Sequence, residues 1–309
     1  AFSSYFFIVV AAGHSWKFIA LAYVPPTIAG IVLAYRGKLL AGGILTAFFI
    51  ALQIMSNHVQ MSYYFLFVIL FIAGAYFEDA WRNKTLPRFF KASAVLLVAA
   101  LIGVAANLSN LYHTYTYSKE TMRGKSELVQ TGDAAKQTSS GLDRDYITNW
   151  SYGIGETWTL LVPNFKGGSS SAPLSQSETA MEKANPMYGS LYNSFPQYFG
   201  SQPWTAGPVY VGAFVLFLFV LGCFIIKGPL KWALLGATFF SIVLAWGKNF
   251  MPLTGFFIDY VPVYNKFRAV SSILVIAEFT IPLLAIFALK RVLEEPGIWK
   301  ANKKAFVTS

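Results

Sequence analysis

Residues 39–77 read LLAGGILTAFFIALQIMSNHVQMSYYFLFVILFIAGAYF. Two apolar runs stand on either side of a short polar insert, SNHVQMSYY, at residues 56–64. A hydrocarbon layer about 30 Å thick needs about 20 apolar residues of helix to cross it, and each run approaches that length. The pattern predicts two membrane-spanning helices joined by a tight turn. That turn carries an imidazole, two amides and paired tyrosines, where small neutral residues would suffice.

The composition of the whole chain agrees with this pattern. Of the 309 residues, 55% are hydrophobic and only 12% are charged, a balance that soluble domains do not show. We therefore predict an all-α polytopic membrane protein. A kink is expected at Pro25 and Pro26, in the first full span. Seven segments qualify as spans: 18–35, 39–55, 63–77, 90–108, 209–226, 232–246 and 270–289.

The start of the chain and its cysteine content carry little information. The sequence begins AFSS, with no methionine, basic region or cleavage site, and we expect the natural amino terminus to lie upstream. Residues 1–12 then form the end of an earlier helix or an interfacial one. The single cysteine, Cys223, lies within an apolar run, so no disulfide framework and no cysteine metal motif are indicated.

Lysine and arginine are distributed unevenly between the short connections, and this sets the orientation. One side carries 13 of the 24 basic residues, which predicts that it is cytoplasmic. Residues 109–205 then lie outside, with seven basic and eight acidic residues. The net charge of +10 thus reflects orientation, and we expect no nucleic-acid partner. The short segments on the outer side carry only Lys17, Lys248, Lys266 and Arg268.

This orientation divides the chain into three parts. Residues 1–108 are N-terminal transmembrane helices, truncated at their start, and residues 206–309 are C-terminal transmembrane helices and a cytoplasmic tail. Between them, residues 109–205 form a large extracytoplasmic loop or small domain, because a segment of this length is too long for a simple connector. Its GGSSSA tract, residues 167–172, predicts a mobile stretch.

Polar and cationic side chains gather at the predicted outer boundary of the spans, and we expect them to converge on one outward-facing cleft. Arginine offers a bidentate fork to phosphate and lysine a point charge, while histidine can donate a hydrogen bond or act as acid or base. The pattern favours a phosphate or diphosphate held at the lipid interface. The residues are His14 and Lys17 before one span, His58, Gln60 and Tyr64 around the turn after the next, and Lys266 and Arg268 before the last.

Each of these residues also has a plainer interpretation. The cations could extend toward lipid headgroups, and His58 could be a polar residue in a wet turn. His14, His58 and a carboxylate could form a metal site, although the chain has only three histidines. Glu278, inside the last span, could pair with another helix or mark a proton path.

The outer segment combines aromatic rings with carboxylates and amides in NWSYGIGETWTLLVPNFKGG, residues 149–168. Rings stack on the C–H faces of sugars, and polar groups bond their hydroxyls, so this composition is typical of carbohydrate recognition. The alternative is a small re-entrant core whose tryptophans belong to the interface belt. Both interpretations remain open from the sequence.

Four motifs stand in this order along the chain: SSYFFIVVAAGHSWKFIALAYVPP at 3–26, SNHVQMSYY at 56–64, NWSYGIGETWTLLVPNFKGGSS at 149–170 and YNKFRAVSS at 264–272. Together they resemble the YfhO family of bacterial multi-pass membrane proteins, in its Bacteroidetes-type form. The resemblance covers nearly the whole chain. That family is similar to the GT-C glycosyltransferases, which transfer sugar from a polyprenyl-phosphate donor on the outer face of the cytoplasmic membrane.

The resemblance implies a GT-C-like helix bundle in the bacterial cytoplasmic (inner) membrane. It also implies a glycosyltransferase that moves a sugar from a polyprenyl-phosphate donor to an envelope polymer or glycoprotein acceptor. Membrane lipids are further expected partners; no cofactor is implied, and a divalent metal is left open. The implied roles are lipid-phosphate or donor binding for His14, Lys17, His58, Gln60, Tyr64, Lys266 and Arg268, acceptor or sugar binding for Trp150, Tyr152 and Asn164, and catalysis for Glu156.

This sequence departs from the family pattern in two ways. GT-C proteins carry an acidic catalytic residue in the first outer loop, which would precede this chain, so Glu156 is a substitute candidate. The family also has further spans and a soluble carboxy-terminal part. A transporter or flippase of lipid-linked sugars would instead need polar groups at the midplane and broken helices. A non-catalytic scaffold subunit would tolerate the loss of His58 and Arg268.

Overall fold

The computed structural model describes residues 3–124, 141–295, 297, 298, 302, 303 and 307, and over these residues the chain is helical and contains no strand. The all-α prediction is confirmed. The α-helices are α1 (Ser4–Ala11), α2 (Ser15–Ala22), α3 (Val24–Tyr35), α4 (Leu39–Met55), α5 (Val59–Arg82), α6 (Leu86–Ala105), α7 (Leu108–Lys119), α8 (Arg144–Thr148), α9 (Glu178–Glu182), α10 (Gly189–Tyr192), α11 (Ala213–Ile225), α12 (Pro229–Ala245), α13 (Met251–Tyr260) and α14 (Val275–Glu294). Short 3-10 helices are Gly155–Leu160, Leu174–Gln176, Pro186–Tyr188, Gly247–Phe250, Tyr264–Lys266 and Val270–Leu274.

Four helical stretches among the described residues are long and apolar enough to cross a membrane. They are Ser15–Tyr35, Val59–Arg82, Leu86–Ala105 and Val270–Glu294. A fifth span results if α12 and the bent helix that follows it, Gly247–Tyr260, count as one. α4 and α11 are apolar but shorter, with 17 and 13 residues. Several helices that could span a membrane are therefore present, as a multi-pass membrane protein requires.

The bend after α12 is the main departure from the predicted straight spans. The chain bends by 108° between the two halves. Gly247 adopts φ +51, and a Cβ at this position would lie 2.1 Å from Ser151 Oγ, so the chain turns where only glycine fits. Pro252 then occupies the first turn of α13, where its missing N–H has no helical partner to lose.

The predicted kink at the proline pair corresponds to a break between α2 and α3 at Tyr23. Pro25 and Pro26 have no N–H groups to donate to the carbonyls one turn earlier. The helix resumes when Thr27 donates its N–H to Tyr23 O, at 3.3 Å.

Small residues bring the N-terminal helices into backbone contact. A Cβ at Gly42 in α4 would lie 2.5 Å from Ala34 N and 2.6 Å from Gly30 O in α3. Such close approach is the usual basis of helix association in an apolar solvent. On the other side of the bundle, α14 is the central helix, and residues 273–278 are all buried.

The polar segment, residues 109–205, is joined to the bundle at its core rather than only at its ends. Tyr152 N donates to Ala245 O at 2.8 Å, and Ser271 N donates to Trp150 O at 3.0 Å. Lys248 N donates to Ser151 Oγ at 2.8 Å. Residues 150–152 therefore fill the space opened by the α12 bend.

The GGSSSA tract makes ordered backbone contacts, contrary to the expected mobile stretch. Ser170 N donates to Thr205 O at 2.9 Å, and Gln197 N donates to Ala172 O at 2.9 Å. Gly167 adopts φ +81 and packs against the carbonyl of Gln197. The glycines of this tract serve close packing against residues 197–205.

Candidate functional site

A cleft of about 310 Å³ lies at one end of the bundle, at the connections 13–17, 58–61 and 268–274. We call this end the cleft end. The cleft collects seven of the eleven residues singled out from the sequence, so the predicted convergence occurs. They are His14, Lys17, His58, Gln60, Trp150, Tyr152 and Arg268.

Three of the described helices begin at the wall of the cleft, because their N-cap residues line it. These residues are His14 for α2, His58 for α5 and Ala269 for the 3-10 helix that leads into α14. None of the three N-cap side chains forms a capping hydrogen bond. Three helix N-termini therefore lie at one cavity, and the N–H groups of a helix start favour an anion. At the third start, Ser271 N already donates to Trp150 O.

Left-handed backbone turns place these helix starts. Gly13 adopts φ +77 immediately before His14, and Asn57 adopts φ +56 immediately before His58. Glycine and asparagine are the residues that enter this region most readily. Ala269 itself adopts φ +57, which an alanine tolerates less well, and this local strain lies beside Arg268.

Lys17 is a buried cation in the cleft wall, with only 8% of its surface exposed. Its Nζ donates to Ser272 Oγ at 3.3 Å and lies 5.2 Å from the centroid of the Tyr5 ring. No carboxylate forms an ion pair with it in the described part of the chain, and none lines the cleft. A buried ammonium without a counter-charge is costly, and a bound anion would supply that charge.

Arg268 lies at the mouth of the cleft, against two aromatic rings. Its Nη1 donates to Tyr146 Oη at 2.8 Å, and the guanidinium lies 5.6 Å from the Tyr146 ring and 5.9 Å from the Trp150 ring. Its backbone is held by Gln60, whose Nε2 donates to Arg268 O at 2.8 Å. Gln60 is thus a positioning residue. Among the described residues the guanidinium donates only to Tyr146 Oη, which leaves further donors for a ligand.

The surroundings of His14 and His58 favour the neutral form of both imidazoles. Burial, and then the charge of Lys17, lowers the pKa of His58 to about 4. Burial, followed by the charges of Lys17 and Arg268, lowers the pKa of His14 below its usual value. His58 Nδ1 is buried and has no hydrogen-bond partner among the described residues. Both imidazoles can therefore donate to or accept from a ligand near neutral pH.

Glu156, the candidate catalytic carboxylate, does not line the cleft. It is 3% exposed and accepts hydrogen bonds from Gly153 N and Tyr198 Oη, both at 2.5 Å, and from Ser201 N at 3.3 Å. A Cβ at Gly200 would lie 2.3 Å from this carboxylate, so a glycine is required there. Glu156 holds the polar segment together, and it faces a separate cavity of about 10 Å³, the volume of about one water.

Three further predicted residues lie outside the cleft. Tyr64 is buried beneath it and accepts from Gln60 Nε2 at 2.9 Å. Lys266 Nζ donates to Arg123 O at 2.7 Å, in the turn after α7. Asn164 is exposed at φ +60, and its carbonyl accepts from Gly167 N at 2.8 Å, which is the geometry of a turn residue.

Glu278 lies deeper in the bundle, at 1% exposure. Its carboxylate accepts from the hydroxyl of Ser3, which also caps α1 by accepting from Tyr5 N at 3.2 Å. This contact favours structural pairing between α14 and α1. In the described ranges no group of three or more His, Cys, Asp or Glu residues could hold a metal ion, so the metal interpretation has no donor set there.

Residues that the sequence analysis did not select complete the cleft. Tyr5 and Ser272 contact Lys17, while Gln202 and Trp204 close the side formed by the polar segment. Trp150 Nε1 donates to Trp204 O at 3.1 Å, and both tryptophans line the cleft. We call this side of the cleft the aromatic wall. The aromatic residues of the polar segment were a signal that could have identified Trp204. Tyr5 and Ser272 lie in apolar segments, where a single hydroxyl gives no such signal.

Comparison with known proteins gives no match to a family model, to a curated protein or to a solved structure. The resemblance to the YfhO family thus stays a prediction from the four motifs. The cleft itself is the feature from which a function can be inferred.

Proposed function

We propose that this chain is a membrane glycosyltransferase of GT-C type. It moves a sugar from a polyprenyl-phosphate donor to an envelope polymer or glycoprotein, on the outer face of the bacterial cytoplasmic membrane. The cleft end faces outward, as the bias of lysine and arginine predicts. The observation that supports this proposal most is a cavity without acidic residues, lined by the buried Lys17 and by three helix N-termini.

The donor phosphate occupies the end of the cleft near Lys17 and Arg268. Negative charge develops on this phosphate as the bond from its oxygen to the anomeric carbon breaks. Fixed cations and helix dipoles in a cavity shielded from water stabilise such charge with little reorganisation. Stabilisation of this leaving phosphate is how the cleft accelerates the reaction.

The sugar lies against the aromatic wall of Trp150 and Trp204, within reach of Tyr152. The acceptor hydroxyl oxygen bonds to the anomeric carbon, and the electron pair of the broken bond stays on the phosphate. The hydroxyl proton passes to His14, the neutral imidazole at the exposed mouth of the cleft. This assignment replaces Glu156, whose oxygens already accept three hydrogen bonds.

The proposal is tested by sugar transfer in liposomes that contain the full chain, a radiolabelled polyprenyl-phosphate sugar and an envelope acceptor. We expect Arg268→Ala to lower the transfer rate by about 100-fold, or about 2.7 kcal/mol of transition-state stabilisation. Lys248→Ala is the matched control, because Lys248 is a cation of the same predicted side and does not line the cleft. Equal rates for the two variants, or no transfer by a wild type that binds the lipid, would contradict the proposal.

A lipid-linked sugar transporter is the second candidate, and the broken span favours it. Broken helices at a binding site are common in transporters, and the chain bends by 108° between α12 and the helix after it. Movement of label across the bilayer without transfer to the acceptor would support this alternative and exclude the transferase.

A further inference from the structure

The helix α7 lies across the cleft end of the bundle. Near its start, Asn110 Nδ2 donates to Asn57 Oδ1 at 3.5 Å, in the turn between α4 and α5. Just past its end, Arg123 Nε donates to Lys266 O at 3.0 Å, and Lys266 Nζ donates back to Arg123 O at 2.7 Å. Both ends of α7 are therefore fixed to connections at the same end of the bundle.

The chain after α7 folds back against the helix. A Cβ at Gly124 would lie 2.0 Å from Lys119 O, so residues 120–124 fold tightly against the last turn of the helix. Arg123 thus lies beside the C-terminus of α7, and the 12 residues of the helix span about 18 Å. From these contacts at both ends we infer that α7 lies along the cleft end of the bundle.

One face of α7 is apolar and aromatic, and no described part of the chain covers it. Leu108, Tyr112 and Tyr115 recur at helical spacing and are 62%, 64% and 63% exposed. Lys119 lies on the same face, with its Nζ 4.4 Å from the centroid of the Tyr115 ring. A lysine that lies over an aromatic ring at the end of such a face can extend toward headgroups.

We propose that α7 is an interfacial helix, whose face of Leu108, Tyr112 and Tyr115 lies in the headgroup layer of the leaflet at the cleft end. The occupant of this face is a lipid surface. The face follows directly on the exposed apolar side of α6, where Leu101 and Ile102 are uncovered, so one lipid layer would cover both. Tyrosine is the residue type that membrane proteins place at this depth.

The small number of charged residues in α7 indicates how it would bind a membrane. Lys119 is its only lysine or arginine, so apolar burial rather than attraction to anionic headgroups supplies the binding energy. The inference requires the bundle to sit in a membrane, and it does not depend on sugar transfer. It also gives Lys266 a role, since this residue fixes the end of α7 two positions before Arg268.

Nitroxide labels on the full chain in phosphatidylcholine nanodiscs test this placement. Single cysteines replace Tyr112, Tyr115 or Tyr117 in a Cys223→Ala background. Tyr117 is the matched control, because it is 74% exposed and lies two residues, or about 200°, around the helix from Tyr115. All three side chains are exposed, so the substitutions leave the packing unchanged.

The ratio of collision rates with oxygen and with a water-soluble nickel chelate reports the depth of each label. We expect this ratio to be severalfold higher at positions 112 and 115 than at 117, and to stay so when phosphatidylglycerol is added. Nickel-dominated collisions at all three positions would place α7 in water and overturn the inference. Protection of 112 and 115 from both reagents would mean that protein covers the face, and would also overturn it.

Discussion

Lys17 in the bundle and Glu156 in the polar segment are both charged and almost fully buried, yet their surroundings are opposite. Glu156 accepts three hydrogen bonds from its own segment. Lys17 has one hydroxyl and one ring as neighbours and no carboxylate in the described chain. A buried charge that the protein satisfies is part of the structure, whereas one that it leaves without a counter-charge indicates a ligand.

A similar contrast separates Lys17 and Arg268 from cations at the opposite end of the bundle. At the end opposite the cleft, cations pair with carboxylates one helical turn away, as in Arg82 with Glu78 and Arg291 with Glu295. The Arg82–Glu78 pair is largely exposed and contributes little to stability. At the cleft end, Lys17 and Arg268 contact hydroxyls and aromatic rings instead.

The largest effect is expected for Lys17→Met. Loss of the buried cation should weaken the binding of a short polyprenyl phosphate by about 100-fold, or about 2.7 kcal/mol. The melting temperature should stay the same or rise, because an apolar side chain removes an uncompensated charge from the interior. Calorimetric titration and thermal unfolding measure the two quantities. Lys38→Met, an exposed lysine at the opposite end, is the control and should change neither.

Glu156→Gln should have the reverse profile. The amide cannot accept from all three donors as the carboxylate does, and hydrogen bonds to a charged group contribute about 1.5–3 kcal/mol. We expect a loss of about 2 kcal/mol in the free energy of unfolding, read by thermal unfolding. Glu182→Gln, at an exposed carboxylate, should have no effect. An unchanged stability in Glu156→Gln would remove the contrast with Lys17.

His58 predicts how stability depends on pH. Its pKa is lowered to about 4 in the folded protein from an ordinary 6.5, so the unfolded chain binds more protons between these values. Stability should therefore fall as the pH decreases from 6.5 to 4, with a slope of at most about 1.4 kcal/mol per pH unit from this group. Unfolding of wild type and His58→Gln across this range measures the slope. A slope that His58→Gln leaves unchanged would contradict the assignment.

The smallest effect is expected for Arg82→Gln. Its ion pair with Glu78 joins side chains that are 76% and 53% exposed, and such pairs contribute about 0.5 kcal/mol or less. The free energy of unfolding should change by no more than that, and high salt should abolish the difference. A loss as large as that of Glu156→Gln would show that exposed pairs matter here as much as buried ones.

The sequence was sufficient to predict an all-helical chain and the meeting of its polar helix ends. Of the seven predicted spans, four, or five with the bent pair, are long and apolar enough to cross a membrane in the described part of the chain. Successive spans return the chain to the same end, so His14, His58 and Arg268 had to approach one another. The position of Glu156 depended on donors from residues 198–201 and on Gly200, which no local pattern shows. The place of Lys266 likewise depended on a distant contact with Arg123.

The bend after α12 was also beyond the periodicity of the sequence. The spacing of apolar residues predicts that a helix is buried, and this spacing is helical both before and after Gly247. The turn there depends on Ser151 from the polar segment, which leaves no space for a side chain at Gly247. Gly247 and Pro252 are local signals for a break in the helix, but the direction of the bend depends on tertiary contacts.

The most direct test of the anion site compares two ligands that differ only in a phosphate group. Farnesyl phosphate and farnesol carry the same chain and differ in the phosphate, and their affinities for the full chain can be measured by calorimetric titration in nanodiscs. The phosphate should bind about 100-fold more tightly or better, a difference of about 2.7 kcal/mol, and Lys17→Met should remove most of this difference. Equal affinities for phosphate and alcohol in the wild type would contradict it.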